Sequence, residues 1–325
     1  MNNTADGADF ICLKGVRQVL DQVNGIILGK EKEVKEIMTA FLANGHILLE
    51  DIPGVGKTTM AIAFSKSMAL DYRRVQFTPD VLPSDLTGFS IYRREDEQFV
   101  YRPGSVFCNL LLADEINRTS PKTQSALLEV MEERHVTVDG VTRSVGDPFF
   151  VIATQNPTGS AGTQYLSQAQ VDRFMIRLSL GYPDFENELA MAKEGGNAGQ
   201  RMAIRPVLSR EALLQAQKDV ENVYMKDEVC RYLLKLITAT RQHPEILIGA
   251  SPRATIALVK MAKAWAWMDG RDYVTPADVC SQFPYVVSHR IVLKPTLQTE
   301  SADTSAVISQ ILEKVKKPSL GGRGL

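Results

Sequence analysis

The chain has 325 residues, and its 37 Lys and Arg nearly balance its 38 Asp and Glu, for a formal net charge of −1. This balance excludes the strong overall positive charge of many nucleic-acid-binding proteins, although a local basic patch stays open. The apolar runs are far too short to span a bilayer, and the first residues lack the pattern of a signal peptide, so we expect a cytoplasmic protein with no membrane insertion. The four cysteines and four histidines are dispersed, without the spacing of a disulfide framework or a zinc site.

The first part of the chain alternates between helical and strand patterns. Apolar residues recur at helical spacing within 9–25 and within 30–44, and the turn 26–29 separates the two predicted helices. Five short apolar runs follow, most of them separated by helical segments, which is typical of an α/β fold with a parallel sheet between helices. The predicted strands are 47–49, 74–77, 110–113, 149–153 and 175–178.

Two inserts interrupt this alternation, and both are predicted to be β-hairpins. In 88–106, two β-prone stretches flank a charged tip. In 135–145, Asp139-Gly140 lies between alternating residues and is the strongest short-range signal for a hairpin turn.

A second, smaller domain follows the α/β domain. The composition changes after about residue 183, and helical patterns then dominate. We therefore divide the chain into an α/β domain at 1–183, a linker at 184–205 and an all-helical domain at 206–315. We expect the Gly-rich tail 316–325 to be disordered.

The stretch that follows the first predicted strand has the layout of a phosphate-binding loop. Backbone N–H groups of such a loop cradle phosphates, Lys57 would meet the β- and γ-phosphates, and the Thr58 hydroxyl would ligate Mg²⁺. The helix that begins here adds the positive end of its dipole. One position departs from the consensus, because Asp51 stands where the first glycine belongs. The candidate phosphate-binding residues are Gly54, Val55, Gly56, Lys57, Thr58 and Thr59.

An acidic pair, Asp114-Glu115, directly follows the apolar strand 110–113. In a protein with a phosphate-binding loop, an Asp at the end of a strand holds Mg²⁺, and a neighbouring Glu can polarise the attacking water. The same pair could also be an ordinary solvated loop. The phosphate-binding loop upstream favours the catalytic interpretation.

Three further polar residues follow at positions that suit nucleotide chemistry. Asn156 follows shortly after the strand 149–153 and could position the attacking water, although an Asn before Pro also commonly forms a turn. Arg173 precedes the last predicted strand, and Arg253 lies in the first turn of a helix, where a cation opposes the helix dipole unless an anion is near. Taken singly, each arginine is better explained by a surface or ion-pair role.

Taken together and in order, these motifs resemble those of AAA+ ATPases, and most closely those of the MoxR family. The resemblance covers about 23–291 and includes the stretches 45–50 and 270–279. The motifs are GVGKT at 54–58, DEINR at 114–118, ATQNP at 153–157, DRF at 172–174 and SPR at 251–253.

The resemblance implies a nucleotide site for ATP and Mg²⁺ in a AAA+ core with a helical lid. Lys57 and Thr58 would be Walker A, and Asp114 and Glu115 Walker B, with Thr58 and Asp114 on the metal. The turn that contains Gly29 would face adenine.

The remaining motifs imply an ATPase whose active site lies between two subunits. Asn156 would be sensor 1, Arg253 would be sensor 2 and reach the γ-phosphate from the lid, and Arg173 would be an arginine finger that acts on the neighbouring subunit's ATP. The two hairpins would be the helix-2 insert and the pre-sensor-1 insert. By likeness to the family we expect a homo-oligomeric ring of six subunits whose ATP hydrolysis remodels or activates client proteins, with a von Willebrand factor A domain protein as a further partner.

Two departures from the family pattern and two alternative functions stay open. Asp51 replaces a glycine, and 164–167 reads Gln-Tyr-Leu-Ser where the family usually has Tyr-Pro-Leu-Pro. A chelatase-like or nucleic-acid-remodelling ATPase is one alternative, although 95–97 places acids beside Arg93-Arg94 and nucleic acid is therefore not expected. A nucleotide-gated scaffold or transcriptional regulator with little turnover is the other, and the intact Glu115 argues against it.

Overall fold

A five-stranded parallel sheet forms the centre of the protein in the computed structural model, which describes residues 5–52, 54–95, 97–156, 164–193, 204–295 and 304–318. The strand order is β2-β5-β8-β1-β9, and every neighbouring pair is parallel. The α/β class predicted from the sequence is confirmed. The strands are β1 Ile47–Glu50, β2 Tyr72–Gln76, β5 Leu110–Asp114, β8 Phe150–Gln155 and β9 Ile176–Leu178.

Helices cover both faces of this sheet because most residues of its inner strands are apolar and buried. Ile47 and Leu49 face one side, with α1, α2 and α3, whereas Leu48 and Leu111 face the other side, with α5. The core helices are α1 Ala5–Asn24, α2 Glu31–Leu42, α3 Lys57–Ser67, α4 Pro83–Thr87, α5 Pro121–Glu133 and α6 Gln168–Val171, and a 3₁₀ turn spans Ile116–Arg118.

Both predicted inserts are antiparallel hairpins. The first joins β3 (Phe89–Arg93) to β4 (Gln98–Arg102), and the second joins β6 (His135–Val138) to β7 (Val141–Ser144). The hairpins touch each other, because the guanidinium of Arg143 lies 3.8 Å from the ring centroid of Tyr101.

The second domain is a helical lid, with two corrections to the sequence-based prediction. Part of the segment predicted as a linker is the helix α7, and the lid also contains a short antiparallel strand pair, β10 with β11, so it is not strictly all-helical. The predicted tail lies mostly outside the described residues. The elements are α7 Phe185–Lys193, α8 Arg210–Asn222, α9 Asp227–Gln242, β10 Ile246–Ile248, α10 Pro252–Met268, α11 Pro276–Val287, β11 Val292–Leu293 and α12 Thr304–Lys314.

Within these described ranges, each helix is too short or too polar to cross a bilayer.

The lid is joined to the core along α2. Lys35 pairs with Asp269 at 3.1 Å, and the buried Glu36 accepts a hydrogen bond of 3.2 Å from the Gln282 amide. The other carboxylate oxygen of Glu36 and the amide oxygen of Gln282 are both buried without a hydrogen-bond partner. Burial raises the pKa of Glu36 to about 8, against the opposing effects of Gln282 and Lys32.

The Glu36 carboxyl should make the stability of the protein depend on pH. Because its pKa is raised on folding, the stabilisation is complete below the ordinary value near 4.5 and is lost as pH rises through about 8. We expect the free energy of unfolding, measured by urea titration, to fall over this range by up to about 1.4 kcal/mol per pH unit. Glu36→Gln, which keeps the neutral shape, should remove this slope, whereas Glu31→Gln on the exposed face of α2 should leave it intact. If unfolding free energy depended on pH in the same way for wild type and Glu36→Gln, Glu36 would titrate at its ordinary pKa, contrary to this prediction.

Candidate nucleotide site

The carboxyl ends of the inner strands converge on a cavity of about 370 Å³, and most of the predicted site residues line it. The end of a parallel sheet is where such folds bind ligands, because the loops after successive strands meet there. The lining residues that the sequence predicts are Gly54, Gly56, Lys57, Thr58, Thr59, Asp114, Glu115 and Asn156.

The phosphate-binding loop has the backbone that its glycines allow. Gly54 and Gly56 have φ of +89° and +91°, a region that L-residues with a side chain rarely adopt. Helix α3 begins immediately afterwards at Lys57, so its N-terminal N–H groups and dipole point into the cavity. Val55 packs against the apolar core and does not line the cavity.

Lys57 is held within the loop by backbone carbonyls. Its Nζ donates to the carbonyl oxygens of Asp51 at 3.0 Å and Ile52 at 3.3 Å. Partial burial lowers its pKa, and the charges of Asp51, Asp114 and Glu115 oppose this shift. The Lys57 ammonium thus lies among negative charges in the cavity lining, where it could neutralise phosphate oxygens.

Asp114 is oriented by two residues that the sequence analysis does not single out. Its Oδ1 accepts a hydrogen bond of 2.6 Å from the Thr154 hydroxyl, and its Oδ2 is 2.7 Å from Nη2 of Arg74. Both partners lie on strands that flank β5. Oxygen donors suit Mg²⁺, and the Thr58 hydroxyl and the Asp114 carboxylate face the same cavity, so this donor set fits a magnesium ion shared with phosphates.

Glu115 occupies a constrained position at the end of β5. Its backbone has φ of +56°, and its N–H donates to the Thr154 hydroxyl at 2.9 Å. Its carboxylate is paired with Arg118 at 2.7 Å. The left-handed turn brings the carboxylate to the cavity edge, where Arg118 restrains it.

The backbone of Asn156 is held by a residue that lies just after the acidic pair. The Asn117 amide donates to the Asn156 carbonyl at 3.3 Å, so the ends of β5 and β8 are linked beyond the sheet. Asn156 lines the same cavity as Glu115. A polar amide next to a carboxylate is suited to orient a water molecule.

Gly29 lies beside the cavity rather than in its lining. It has φ of +68°, which favours glycine, and a Cβ there would meet Nδ2 of Asn187 at 2.3 Å, so a side chain at this position would also have to displace the Asn187 amide. Ile27 in the same turn reaches the phosphate-binding loop, because its Cδ1 lies 3.8 Å from where a Cβ of Gly56 would stand.

The two predicted arginines lie together in a second cavity, of about 310 Å³. Arg173 Nε is 3.3 Å from Glu132, and Arg253 contacts the other oxygen of the same carboxylate. Neither arginine lines the cavity around Lys57. Within one subunit Arg253 therefore lies beside Arg173 and not at the cavity around Lys57, and its role at a γ-phosphate stays a prediction.

The lid also supports the segment that carries Arg173. Asp172 is the residue before Arg173. The Ser251 hydroxyl lies 2.9 and 3.0 Å from the two carboxylate oxygens of Asp172, and Arg290 pairs with the same carboxylate at 2.8 Å. Arg290 is 3% exposed and also donates to the carbonyls of Asp172, Phe174 and Met175. Burial lowers the pKa of Arg290, and Asp172 opposes the shift.

The stretch 164–167, which departs from the family pattern, still anchors the segment that carries Arg173. The Gln164 N–H donates to the Asn117 carbonyl at 2.7 Å, and Leu166 is buried. The Ser167 N–H donates to the Gln170 side chain at 2.8 Å, which caps α6 just before Arg173.

Comparison with known proteins agrees with this arrangement. The model of the ATPase family associated with various cellular activities (AAA) matches residues 46–176, and that of the AAA lid domain matches 238–311. Chaperone MoxR1 of Mycobacterium tuberculosis (strain ATCC 25618 / H37Rv) is 37% identical over 94% of this chain and 83% of its own length. The chain belongs to the MoxR family of AAA+ ATPases.

Other relatives of this MoxR-family chain resemble it along nearly their whole length. The uncharacterised protein YeaC of Bacillus subtilis (strain 168) is 46% identical over 93% of this chain and 94% of its own. A 2.00 Å crystal structure of a candidate ATPase from Cytophaga hutchinsonii has a TM-score of 0.90 and 36% identity, and covers 97% of this chain and 98% of that one.

Four residues that shape the site of this MoxR-family protein were not predicted as site residues. Thr154 had a local signal, because it lies in the ATQNP motif two positions before Asn156. Arg74, Glu132 and Arg290 give no local signal, since each acts on a residue at least 40 positions away in the chain.

Proposed function

We propose that this chain binds ATP with Mg²⁺ in the cavity around Lys57 and hydrolyses it. The observation that carries the proposal is the convergence of Lys57, Asp114, Glu115 and Asn156, from three separate strand ends, on one cavity. Phosphoryl transfer to water needs a cation that binds the phosphates and a carboxylate that binds the metal. It also needs a carboxylate that accepts the proton of the attacking water and an amide that orients this water.

Each residue has one task in this scheme. Lys57 and the N–H groups of the loop neutralise the β- and γ-phosphates. Thr58 and Asp114 would hold Mg²⁺, which supplies charge neutralisation on the phosphates when bound. Glu115, released from Arg118, takes a proton from the attacking water, while Asn156 orients that water.

The complete active site would form only between two subunits. Arg173 and Arg253 share one carboxylate on a face outside their own phosphate cavity. A head-to-tail ring would bring both arginines to the phosphates of a neighbour. By likeness to the family we propose six subunits in this ring.

Remodelling of client proteins is the task that we propose for this ATPase. A relative, MoxR1, is named a chaperone. The first hairpin carries Tyr92 and Phe99, which are 53% and 73% exposed and whose ring centroids lie 5.3 Å apart. This pair offers an apolar contact for a client polypeptide. A partner with a von Willebrand factor A domain is proposed from the family resemblance alone.

Mixing two inactive variants tests the interfacial site. Arg173→Ala should bind ATP without turning it over, and Glu115→Gln should fail in its own site while still offering Arg173 to a neighbour. In an equal mixture about a quarter of the interfaces combine the intact halves, so about a quarter of wild-type steady-state turnover should return.

The control for this experiment is the mixture of Arg173→Ala with the double variant Arg173→Ala/Glu115→Gln, which contains no intact pair and should stay inactive. Normal turnover by Arg173→Ala alone would contradict the role of Arg173. Two inactive variants that stay inactive when mixed, although they co-assemble, would contradict the interfacial site.

A further inference from the structure

Glu132 is a carboxylate that joins the two arginines of the second cavity. It is the last but one residue of α5, and it contacts one arginine from the core and one from the lid. Its Oε2 lies 3.3 Å from Nε of Arg173, and its Oε1 accepts a hydrogen bond from Nη2 of Arg253. A single side chain therefore connects α5, the turn after α6 and the first turn of α10.

The surroundings of Glu132 carry an excess of positive charge. The cations in the lining of this cavity are Arg134, Arg173, Arg253, Lys260 and Arg290. The lining also contains Asp172, but this carboxylate already pairs with Arg290 at 2.8 Å and accepts from the Ser251 hydroxyl. Because neighbouring cations repel each other, the carboxylate of Glu132 is what offsets the repulsion between the two arginines that it contacts.

The contacts with Glu132 leave both arginines able to bind a further anion. A guanidinium has several N–H donors in a planar fork, and Glu132 contacts Nε of Arg173 and Nη2 of Arg253. The two arginine side chains are 33% and 46% exposed, so both reach the surface of the subunit. A phosphate could therefore bind the other nitrogens of each guanidinium while Glu132 stays in place.

We propose that Glu132 is a positioning residue that holds Arg173 and Arg253 as a pair for the phosphates of a neighbouring subunit's ATP. This inference rests on the proposed interfacial ATPase. It adds a residue from α5 to the side of the interface that supplies the arginines. A cation that stabilises the transition state must be placed accurately, since small displacements lower the rate strongly. Glu132 should therefore act on kcat rather than on ATP binding.

The first test is the kinetics of Glu132→Gln, which keeps the size of the side chain but removes its charge and one acceptor oxygen. We expect kcat to fall about 10- to 100-fold. The KM for ATP should stay within about threefold of wild type, because the loop around Lys57 that would bind this ATP belongs to the other subunit. Rates are compared at protein concentrations above which specific activity no longer rises, so that assembly is not limiting.

Two further variants at this end of α5 accompany Glu132→Gln. Glu132→Asp keeps the charge on a shorter side chain, so its kcat should lie between those of wild type and Glu132→Gln. Glu133→Gln is the matched control, because it removes the charge of the next residue, which lies 3.7 Å from His135. Its kcat should equal that of wild type.

Mixing experiments decide on which side of the interface Glu132 acts. Glu115→Gln supplies an intact arginine side, so an equal mixture with Glu132→Gln should regain about a quarter of wild-type turnover. Arg173→Ala has its defect on the same side as Glu132→Gln. Their mixture contains no intact interface, and its turnover should not exceed that of Glu132→Gln alone.

A low kcat of Glu132→Gln that Glu115→Gln restores and Arg173→Ala does not restore supports the inference. Recovery with Arg173→Ala, or no recovery in either mixture of co-assembled variants, overturns it, because the defect is then not confined to the arginine side. A kcat of Glu132→Gln at or above the wild-type value also overturns it. If Glu132→Gln does not fold, as judged by its thermal transition, Glu132→Asp takes its place in the same mixtures.

Failure of the proposed function is recognised separately. If Arg173→Ala loses turnover and is rescued by Glu115→Gln, a wild-type kcat for Glu132→Gln overturns this inference alone. If Arg173→Ala turns ATP over normally, the interfacial site is overturned and this inference with it.

Discussion

Glu115→Gln should lower ATP turnover by about 10²- to 10⁴-fold while ATP binding is retained, because an amide cannot take the proton of the attacking water. The substitution keeps the size of the side chain, and although it removes the charge that pairs with Arg118, it leaves the backbone contacts of Glu115 in place. The Glu115 N–H would still donate to Thr154, and Thr154 would still orient Asp114. Phosphate release under saturating ATP, with binding measured separately by calorimetry, gives the two quantities.

Glu313→Gln, on the exposed face of the last lid helix, is the matched control and should leave turnover unchanged. Turnover within a few-fold of wild type for Glu115→Gln would contradict the assignment of Glu115 as the base. Loss of ATP binding together with turnover would instead assign Glu115 to the metal or phosphate.

The same variant offers a way to identify the client, because it should hold ATP-loaded assemblies. Affinity capture with Glu115→Gln in the presence of ATP should retain proteins that Lys57→Ala, which is expected to lose nucleotide binding, does not. Nuclease-sensitive nucleic acid in place of protein would favour the nucleic-acid-remodelling alternative.

Arg290→Met should destabilise the protein by about 3–5 kcal/mol, because it leaves Asp172 without its buried charge partner. Arg290 bonds from the lid to three residues that flank Arg173, namely Asp172, Phe174 and Met175. A flexible apolar side chain of similar length fills the space but restores none of these bonds. Urea unfolding gives the change in free energy, and the midpoint should move while the slope stays constant.

Arg210→Met is the matched control, since this arginine is largely exposed and pairs with its exposed neighbour Glu211; a change within about 0.5 kcal/mol is expected. The double variant Arg290→Met/Asp172→Asn should recover part of the loss, because the unpaired charge is then removed. A loss below about 1 kcal/mol for Arg290→Met alone would show that the pair is solvated rather than buried.

The sequence predicts the sheet and the nucleotide cavity because their signals are local. Five apolar runs mark the strands, and the motif around Lys57 and the pair Asp114-Glu115 lie directly at strand ends. Once the strands are parallel, their carboxyl ends must lie at one edge. The two hairpins are confirmed for a similar reason, since turn residues such as Asp139-Gly140 act within a few positions.

The contacts between distant segments that complete the site could not be predicted from local sequence signals. Thr154 is oriented on Asp114 only because β8 lies beside β5 in register. Glu132 meets Arg173 and Arg253 because α5, the segment after α6 and the lid come together. No spacing in the chain encodes such a meeting, since the partners are 41 and 121 positions apart, counted from residue 132 to residues 173 and 253.

Tertiary structure alone decided where Arg253 lies. Its motif shows that an arginine begins a helix, and this holds in the structure, where α10 begins at Pro252. Which phosphate that arginine can serve depends on how the lid docks, through Glu36 with Gln282 and through Asp172 with Ser251 and Arg290. The sequence determined by itself the chemistry available to this protein, because motif residues act within their own turn. The structure decided which of them face the same nucleotide, because that depends on packing between segments far apart in the chain.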